Sequence, residues 1–232
     1  MELLHVNIEQ AGYDEQESVI QGVSFTLEAG QLVGLIGPNG AGKSTTIKAI
    51  LGLIKKAAGE IRFGGPQGTY AYIPEHPILY EELTLWEHLE LAAAAYGLTE
   101  ELFRERAEEL LTRFKLIGSK HHLTTSFSKG MQQKVMLILG FLTKPDVYIV
   151  DEPFIGLDPK ATKELLDSLN DERQRGAAIL MSTHVLDTAE RICSSFVLLD
   201  AGRVVAKGDL EAIRQSCGKP EATLFECFHT LT

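Results

Sequence analysis

The chain has 232 residues, 44% of them hydrophobic, and a formal net charge of −10. Such a length and composition can bury one full core, which excludes disordered and fibrous classes and predicts one domain, with room for a subdomain. The acidic balance and the absence of any lysine or arginine run leave no nucleic-acid footprint, so a phosphate must be met by a local device.

The start, "LLHVNIEQ" and "VSFTLEAGQLVGLIG", comes in short β-branched pieces divided by Gly and Glu and predicts strands as far as Ile36. A helix is expected after Lys43, then strands at "EIRF" and "YAYI", with Pro74 closing the pattern. From Thr84 the period becomes helical. Leu85, Leu89, Ala92 and Tyr96 share one face, Phe103, Ala107, Leu110 and Phe114 another, and both stripes read as core. "TTSFSKGMQQKVML" opens a further helix with Ser128 as its N-cap and Met131, Val135, Ile138 and Leu142 along one side. Gly130 in its first turn costs helix stability, so either something approaches the backbone there or the glycine is accidental.

After Pro145 strand and helix alternate again: "VYIVD", a helix opened by Asp158-Pro159, "AAILMST", "VLDTAERIC", then "SFVLLD" and "RVVAKG". The prediction is one α/β domain over 1–232, its core formed by 1–78 and 146–232 and interrupted by a helical subdomain at 79–145. No apolar run approaches the roughly 18 residues of a membrane-spanning helix, and "ELLHVNIEQ" after Met1 does not read as a signal peptide. Cys193, Cys217 and Cys227 have no metal-ligand spacing and fit a reduced compartment. The pair His121-His122 lacks further ligands and reads as solvated surface.

"GPNGAGKST" carries the chemistry. Gly37, Pro38, Asn39, Gly40, Ala41, Gly42, Lys43, Ser44 and Thr45 match G-x-x-x-x-G-K-[ST] between an apolar strand and a helix. Backbone N–H groups of such a loop turn onto phosphate oxygens, Lys43 brings a cation to the β/γ-phosphates, and Ser44 can ligate Mg²⁺. Asp151 ends "VYIVD" where the metal of a nucleotide site belongs, and Glu152 beside it suits a group that orients and deprotonates an attacking water. His184 closes "AAILMSTH" at the carboxyl edge of a strand, within reach of a γ-phosphate. Asp158 reads equally as the cap of the helix begun by Pro159 and as a residue of the site.

These motifs in this order resemble the ATP-binding domain of ABC transporters across essentially the whole chain. The resemblance implies a P-loop NTPase core with an N-terminal antiparallel β subdomain, and ATP and Mg²⁺ as cofactors. "FSKGM" takes the place of the family's signature motif, whose helix start faces ATP bound to the opposite subunit. Ser128 and Gly130 match it, whereas Phe127, Lys129 and Met131 depart from the usual Leu, Gly and Gln. By the same likeness Asp158 resembles the D-loop aspartate, His184 the switch histidine and Tyr13 the aromatic that stacks on adenine. Glu75 in "YIPEHP" stands where a glutamine usually meets the metal. "YIPE", "LYEELTLWEHLELAA", "FSKGMQQKVM" and "IVDEPFIGLDP" together look most like Ecs-type ATP-binding subunits. The implied function is ATP-driven closure of a homodimer that powers a separate transmembrane permease subunit, at the inner face of the cell membrane. A non-transport ABC ATPase and a nucleotide-gated scaffold without turnover are the alternatives. The first would bring two cassettes or an inserted coiled coil or zinc module, and Glu152 and His184 speak against the second.

Overall fold

The computed structural model describes residues 1–13 and 19–232. Two sheets form from the predicted strands. Strands β1 (Glu2–Gly12), β2 (Ile20–Glu28) and β4 (Lys56–Phe63) make a three-stranded antiparallel sheet in the order β2-β1-β4. Alternating burial along β1 and β2 gives that sheet one apolar face, which packs with the helix α1 (Lys43–Ile50).

The second sheet has six strands, β5 (Tyr70–Ile73), β6 (Val147–Asp151), β7 (Ala178–Thr183), β3 (Leu32–Ile36), β8 (Ser195–Asp200) and β9 (Arg203–Gly208), in that spatial order. All neighbours are parallel except β8 and β9, which form an antiparallel hairpin. The runs Val147–Asp151, Ala178–Thr183 and Leu32–Ile36 are buried at every position, as strands covered on both faces must be.

Helices α2 (Leu85–Ala95), α3 (Glu100–Arg113) and α4 (Lys129–Leu142) pack on one another, and α4 also lies against β5. Thr84 caps α2 in a reciprocal capping box with Glu87, and the oxygen of Ser128 caps α4 by accepting from the Met131 N–H at 3.3 Å. Phe103, Ala107, Leu110 and Phe114 are buried as the pattern requires. The α2 stripe departs from it. Leu85, His88, Leu89 and Ala93 are buried, whereas Tyr96 is 49% exposed because it terminates the helix and sends its hydroxyl to the carbonyl of Tyr70. Phe127 is buried in the same cluster as the helices, so an aromatic there fills core volume.

The remaining helices, α5 (Pro159–Arg175), α6 (Leu186–Ile192), α7 (Leu210–Cys217) and α8 (Leu224–Leu231), complete the α/β layers. A cluster of α6, α7 and α8 side chains closes over Ile36, Phe196 and Leu198. Among the described residues no helix is long and apolar enough to cross a membrane.

Candidate active site

Sheet register brings the motifs together. Ile73 pairs with Val150, Asp151 with Ser182, and Ile36 with Thr183, so the carboxyl ends of β5, β6, β7 and β3 finish side by side. Glu75, Asp151 with Glu152, His184 and the loop from Gly37 therefore leave the sheet along one edge, where ligands of parallel sheets collect. A cleft of about 290 Å³ opens there. Pro38, Asn39, Gly40, Gly42, Lys43, Ser44, Thr45, Glu75, Glu152 and His184 line it, together with Val19 and Ile155.

The loop shape rests on its glycines. Gly42 has φ 103° at the start of α1, and a Cβ there would meet the Ile20 side chain at 2.6 Å. A Cβ on Gly37 would stand 2.4 Å from the Leu199 carbonyl oxygen and 2.7 Å from the Cβ of Ala41. We expect Gly37→Ala to lose about 1–3 kcal/mol of stability through overpacking and to weaken ATP binding. Urea unfolding and nucleotide titration check this, and parent-like affinity would mean that the loop tolerates the shift.

Lys43 is buried. Its ammonium donates to the carbonyl oxygens of Gly37 at 2.7 Å and Pro38 at 3.3 Å, and stands 3.4 Å from Glu152 Oε1. The other carboxylate oxygen of Glu152 lies 2.9 Å from His184 Nδ1. Glu152 is itself 7% exposed and has φ 44°, a left-handed conformation that a non-glycine residue adopts at a cost. Its N–H is tied down by the Ser182 hydroxyl oxygen at 3.0 Å and by the Ser182 carbonyl at 3.2 Å. The strain is therefore held by the neighbouring strand.

Asp151 lies just behind, with its Oδ1 accepting from the Ser182 hydroxyl. Burial above all raises its carboxyl pKa, the Ser182 hydrogen bond opposes the rise, and the charges of Glu75 and Glu152 add to it. Burial and then the Asp151 charge push the Tyr72 phenol up to about 12, which keeps it neutral beside this acidic group. Sequence reasoning missed Ser182 and Tyr72. The signal for Ser182 was present, a hydroxyl in the otherwise apolar strand "AILMST".

Seven sequence-predicted residues are absent from the lining of the cleft: Gly37 and Ala41 within the loop, Asp151 behind Glu152, and four others. Tyr13 is 55% exposed with Lys48 Nζ 5.5 Å from its ring centroid, and it is the last described residue before 14–18, which lie outside those described. Ser128 and Gly130 open α4 elsewhere on the surface, and a Cβ on Gly130 would lie 2.9 Å from the carbonyl oxygen of Gly156. That close approach accounts for the glycine in the first turn of α4. Asp158 caps α5, its Oδ1 accepting from the Ala161 N–H at 2.8 Å and its Oδ2 lying 3.6 Å from Lys134 Nζ. The Ala161 hydrogen bond first, and the Lys134 charge after it, hold the Asp158 carboxyl below the usual range. The segment after Glu152 is thus packed against the start of α4 at Gly130 and ion-paired with it at Lys134.

The chain is similar to known proteins over its whole length. A family model described as ABC transporter matches residues 20–155. The chain is 52% identical over 227 residues to the uncharacterized ABC transporter ATP-binding protein YthP of Bacillus subtilis (strain 168), which covers 98% of this chain and 95% of that protein. It is 48% identical over 241 residues to the ABC-type transporter ATP-binding protein EcsA of the same organism, covering 100% of this chain and 97% of that one. A solved structure of an ATP-binding subunit of an ABC transporter matches with a TM-score of 0.92 at 47% identity, over 99% of each chain. A nucleotide-free ATP-binding cassette shares the fold at a TM-score of 0.76 and 23% identity.

Proposed function

This chain belongs to the ABC transporter family as an ATP-binding subunit, and from that premise we propose that it hydrolyses ATP with Mg²⁺ to drive a separate transmembrane permease. The observation that carries this reading is Glu152, buried, strained and held between Lys43 and His184 in one cleft. A nucleotide-gated scaffold has no use for such a carboxylate. In the reaction Glu152 takes the proton of the attacking water, and His184 orients Glu152 and touches the γ-phosphate. Lys43 and the N–H groups from Gly37 to Thr45 hold the β- and γ-phosphate oxygens, with the N-terminus of α1 behind them.

The donor set fits Mg²⁺. That ion takes hard oxygen ligands, keeps several waters and shares its shell with substrate phosphates, so a few protein donors suffice. Ser44, Asp151 and Glu75 would supply a hydroxyl and two carboxylates at the same sheet edge. The ion would take the rest of its shell from nucleotide phosphates and water. When bound, it would neutralise charge on the β- and γ-phosphates. We expect Glu75→Gln to keep ATP binding and at least partial turnover, because a neutral oxygen can fill the same position. Glu75→Ala should lose Mg²⁺ affinity, seen as a higher Mg²⁺ requirement for hydrolysis. Normal hydrolysis by Glu75→Ala at limiting Mg²⁺ would make the residue a bystander.

The permease is proposed to dock beside Glu75. A groove of about 250 Å³ runs from the end of β5 to α2 and α4, lined by Ala71, Tyr72, Ile78, Tyr80, Leu91 and Tyr96 among others. Ile78, Tyr80, Leu91 and Tyr96 are 75%, 61%, 49% and 49% exposed, an apolar rim that a soluble surface rarely shows. On this reading the helical stretch 79–145 is the lever between permease and cleft, and the chain works peripherally at the inner face of the membrane. Tyr13 is proposed to stack on adenine, and Asp158 to add a dimer contact to its capping role. The test is phosphate release by the chain purified with its membrane complex. Release that is absent with Mg²⁺ and ATP, in a complex that binds ATP, would leave the scaffold reading.

A further inference from the structure

Two thiols of the C-terminal helices take no part in the site described above. Cys217 ends α7, Cys227 lies within α8, and their sulfurs are 2.9 Å apart, inside ordinary contact for two sulfur atoms. Ten positions separate them in sequence, with no metal-binding pattern to mark the pair. Cys217 is partly exposed and Cys227 is buried. Around them α7 is fastened to the connection before α8, and α8 to α6. Arg214 Nε donates to the Ala222 carbonyl at 2.8 Å, and the Leu224 N–H donates to Glu190 on α6 at 2.7 Å. The two sulfurs are thus already in contact within the packed helices, the proximity that a bond between them requires.

We propose that Cys217 and Cys227 form a reversible modification site at which a low-molecular-weight disulfide oxidises the pair to an intramolecular disulfide, Cys217 attacking and Cys227 resolving. The order follows from access. In the first step the Cys217 thiolate attacks one sulfur of the small disulfide, forming a mixed disulfide and releasing one small thiolate. In the second, Cys227 loses its proton to solvent and attacks the Cys217 sulfur, forming the protein disulfide and releasing the second small thiolate. The protein dithiol loses two electrons, which the small disulfide gains. Burial, and then Cys217 beside it, push the Cys227 thiol up to about 12, which suits it poorly to attack an external disulfide but leaves it able to act on a sulfur already in contact.

Cys227 shares a buried cluster with Ala189 of α6 and with Ile36, the residue before Gly37. Cys193 serves as the internal control, a partly exposed thiol like Cys217, pushed up to about 12 by the burial of its sulfur and with no sulfur partner among the hydrogen bonds of the described residues.

The full chain would be incubated, folded, with graded mixtures of oxidised and reduced glutathione, then acid-quenched, alkylated and mapped by mass spectrometry. The expected result is a chain lighter by two hydrogens, with residues 217 and 227 joined in one cross-linked fragment and Cys193 alkylated. Cys227→Ser should instead accumulate glutathione on Cys217, and Cys217→Ser should leave Cys227 free over the same time. A persistent glutathione adduct on Cys217 in the parent chain would overturn the resolving role of Cys227. Oxidation of Cys193 in preference to the pair, or no reaction in the folded parent chain, would overturn the site itself. The parent-chain measurement decides the matter even if a serine variant fails to fold.

Discussion

Glu152→Gln should still bind ATP and release phosphate at least roughly a hundredfold more slowly than the parent chain, the scale of losing a positioned base. The substitution is suited to the question because amide and carboxylate have nearly the same shape. The amide oxygen can still accept from Lys43, which stands 3.4 Å from the carboxylate, while the amide NH₂ faces His184 Nδ1, 2.9 Å from the carboxylate, as a donor to its unprotonated nitrogen. The backbone at φ 44° is retained, and the two bonds from the Glu152 N–H to Ser182 do not involve the side chain. A hundredfold loss, about 2.7 kcal/mol in barrier height, would then report the missing proton acceptor and not a collapsed loop. Nucleotide binding measured by titration, alongside single-turnover phosphate release, separates the two. Hydrolysis near the parent rate would remove Glu152 from the mechanism and return the strained residue to a purely structural account.

That experiment depends on a site whose parts were unequally visible in the sequence. The phosphate loop was legible because its glycines, lysine and hydroxyls follow a fixed spacing, and the buried strands on either side because they are apolar throughout. Ser128 and Asp158 announced themselves as caps, and both accept the backbone hydrogen bond that caps accept. Strand order was not readable. Nothing local to "YAYI" or "VYIVD" says that β5 lies beside β6, yet that pairing alone sets Glu75 next to Asp151. Ser182 was passed over for a related reason, since a hydroxyl in a strand becomes a hydrogen-bond donor to Asp151 only through the β6–β7 register. Tyr96 failed differently. Helical period predicts a face but not where the helix stops, and α2 ends one residue before that ring could turn inward.

Gly130 shows how a local cost finds a distant cause. The Gly156 carbonyl that crowds it belongs to the loop between Glu152 and Asp158, so the start of α4 and the proposed catalytic loop are packed backbone to backbone. The Lys134–Asp158 contact joins them again one turn along. The first two turns of α4 are therefore in direct contact with the segment that follows Glu152.

Which cleft Ser128 serves is a separate matter, and we expect it to be the partner's. The cleft that holds Lys43, Glu152 and His184 does not include Ser128 or Gly130. Ser128 is exposed, and α4 begins with Lys129 and has no acidic residue in its first turn, so positive charge adds to the positive end of the helix dipole with nothing in the turn to offset it. An anion presented by another subunit would relieve that. In a head-to-tail dimer each site would combine Lys43 of one chain with Ser128 of the other. The test uses the Glu152→Gln background, where closed dimers should accumulate, and mixes a Lys43→Ala chain with a Ser128→Arg chain. Neither should trap ATP alone. Every mixed dimer regains one intact site, formed by Lys43 of the Ser128→Arg chain and Ser128 of the Lys43→Ala chain, and should trap one ATP. Arginine at the cap position costs Ser128→Arg about 1 kcal/mol of helix stability, but trapping in the mixture would itself show that this chain folds, because it supplies the phosphate loop. Trapped nucleotide is the readout, since turnover that needs both sites would stay silent. Mixed dimers shown to form by differential tagging, yet holding no ATP, would confine Ser128 to its own chain as the cap of α4.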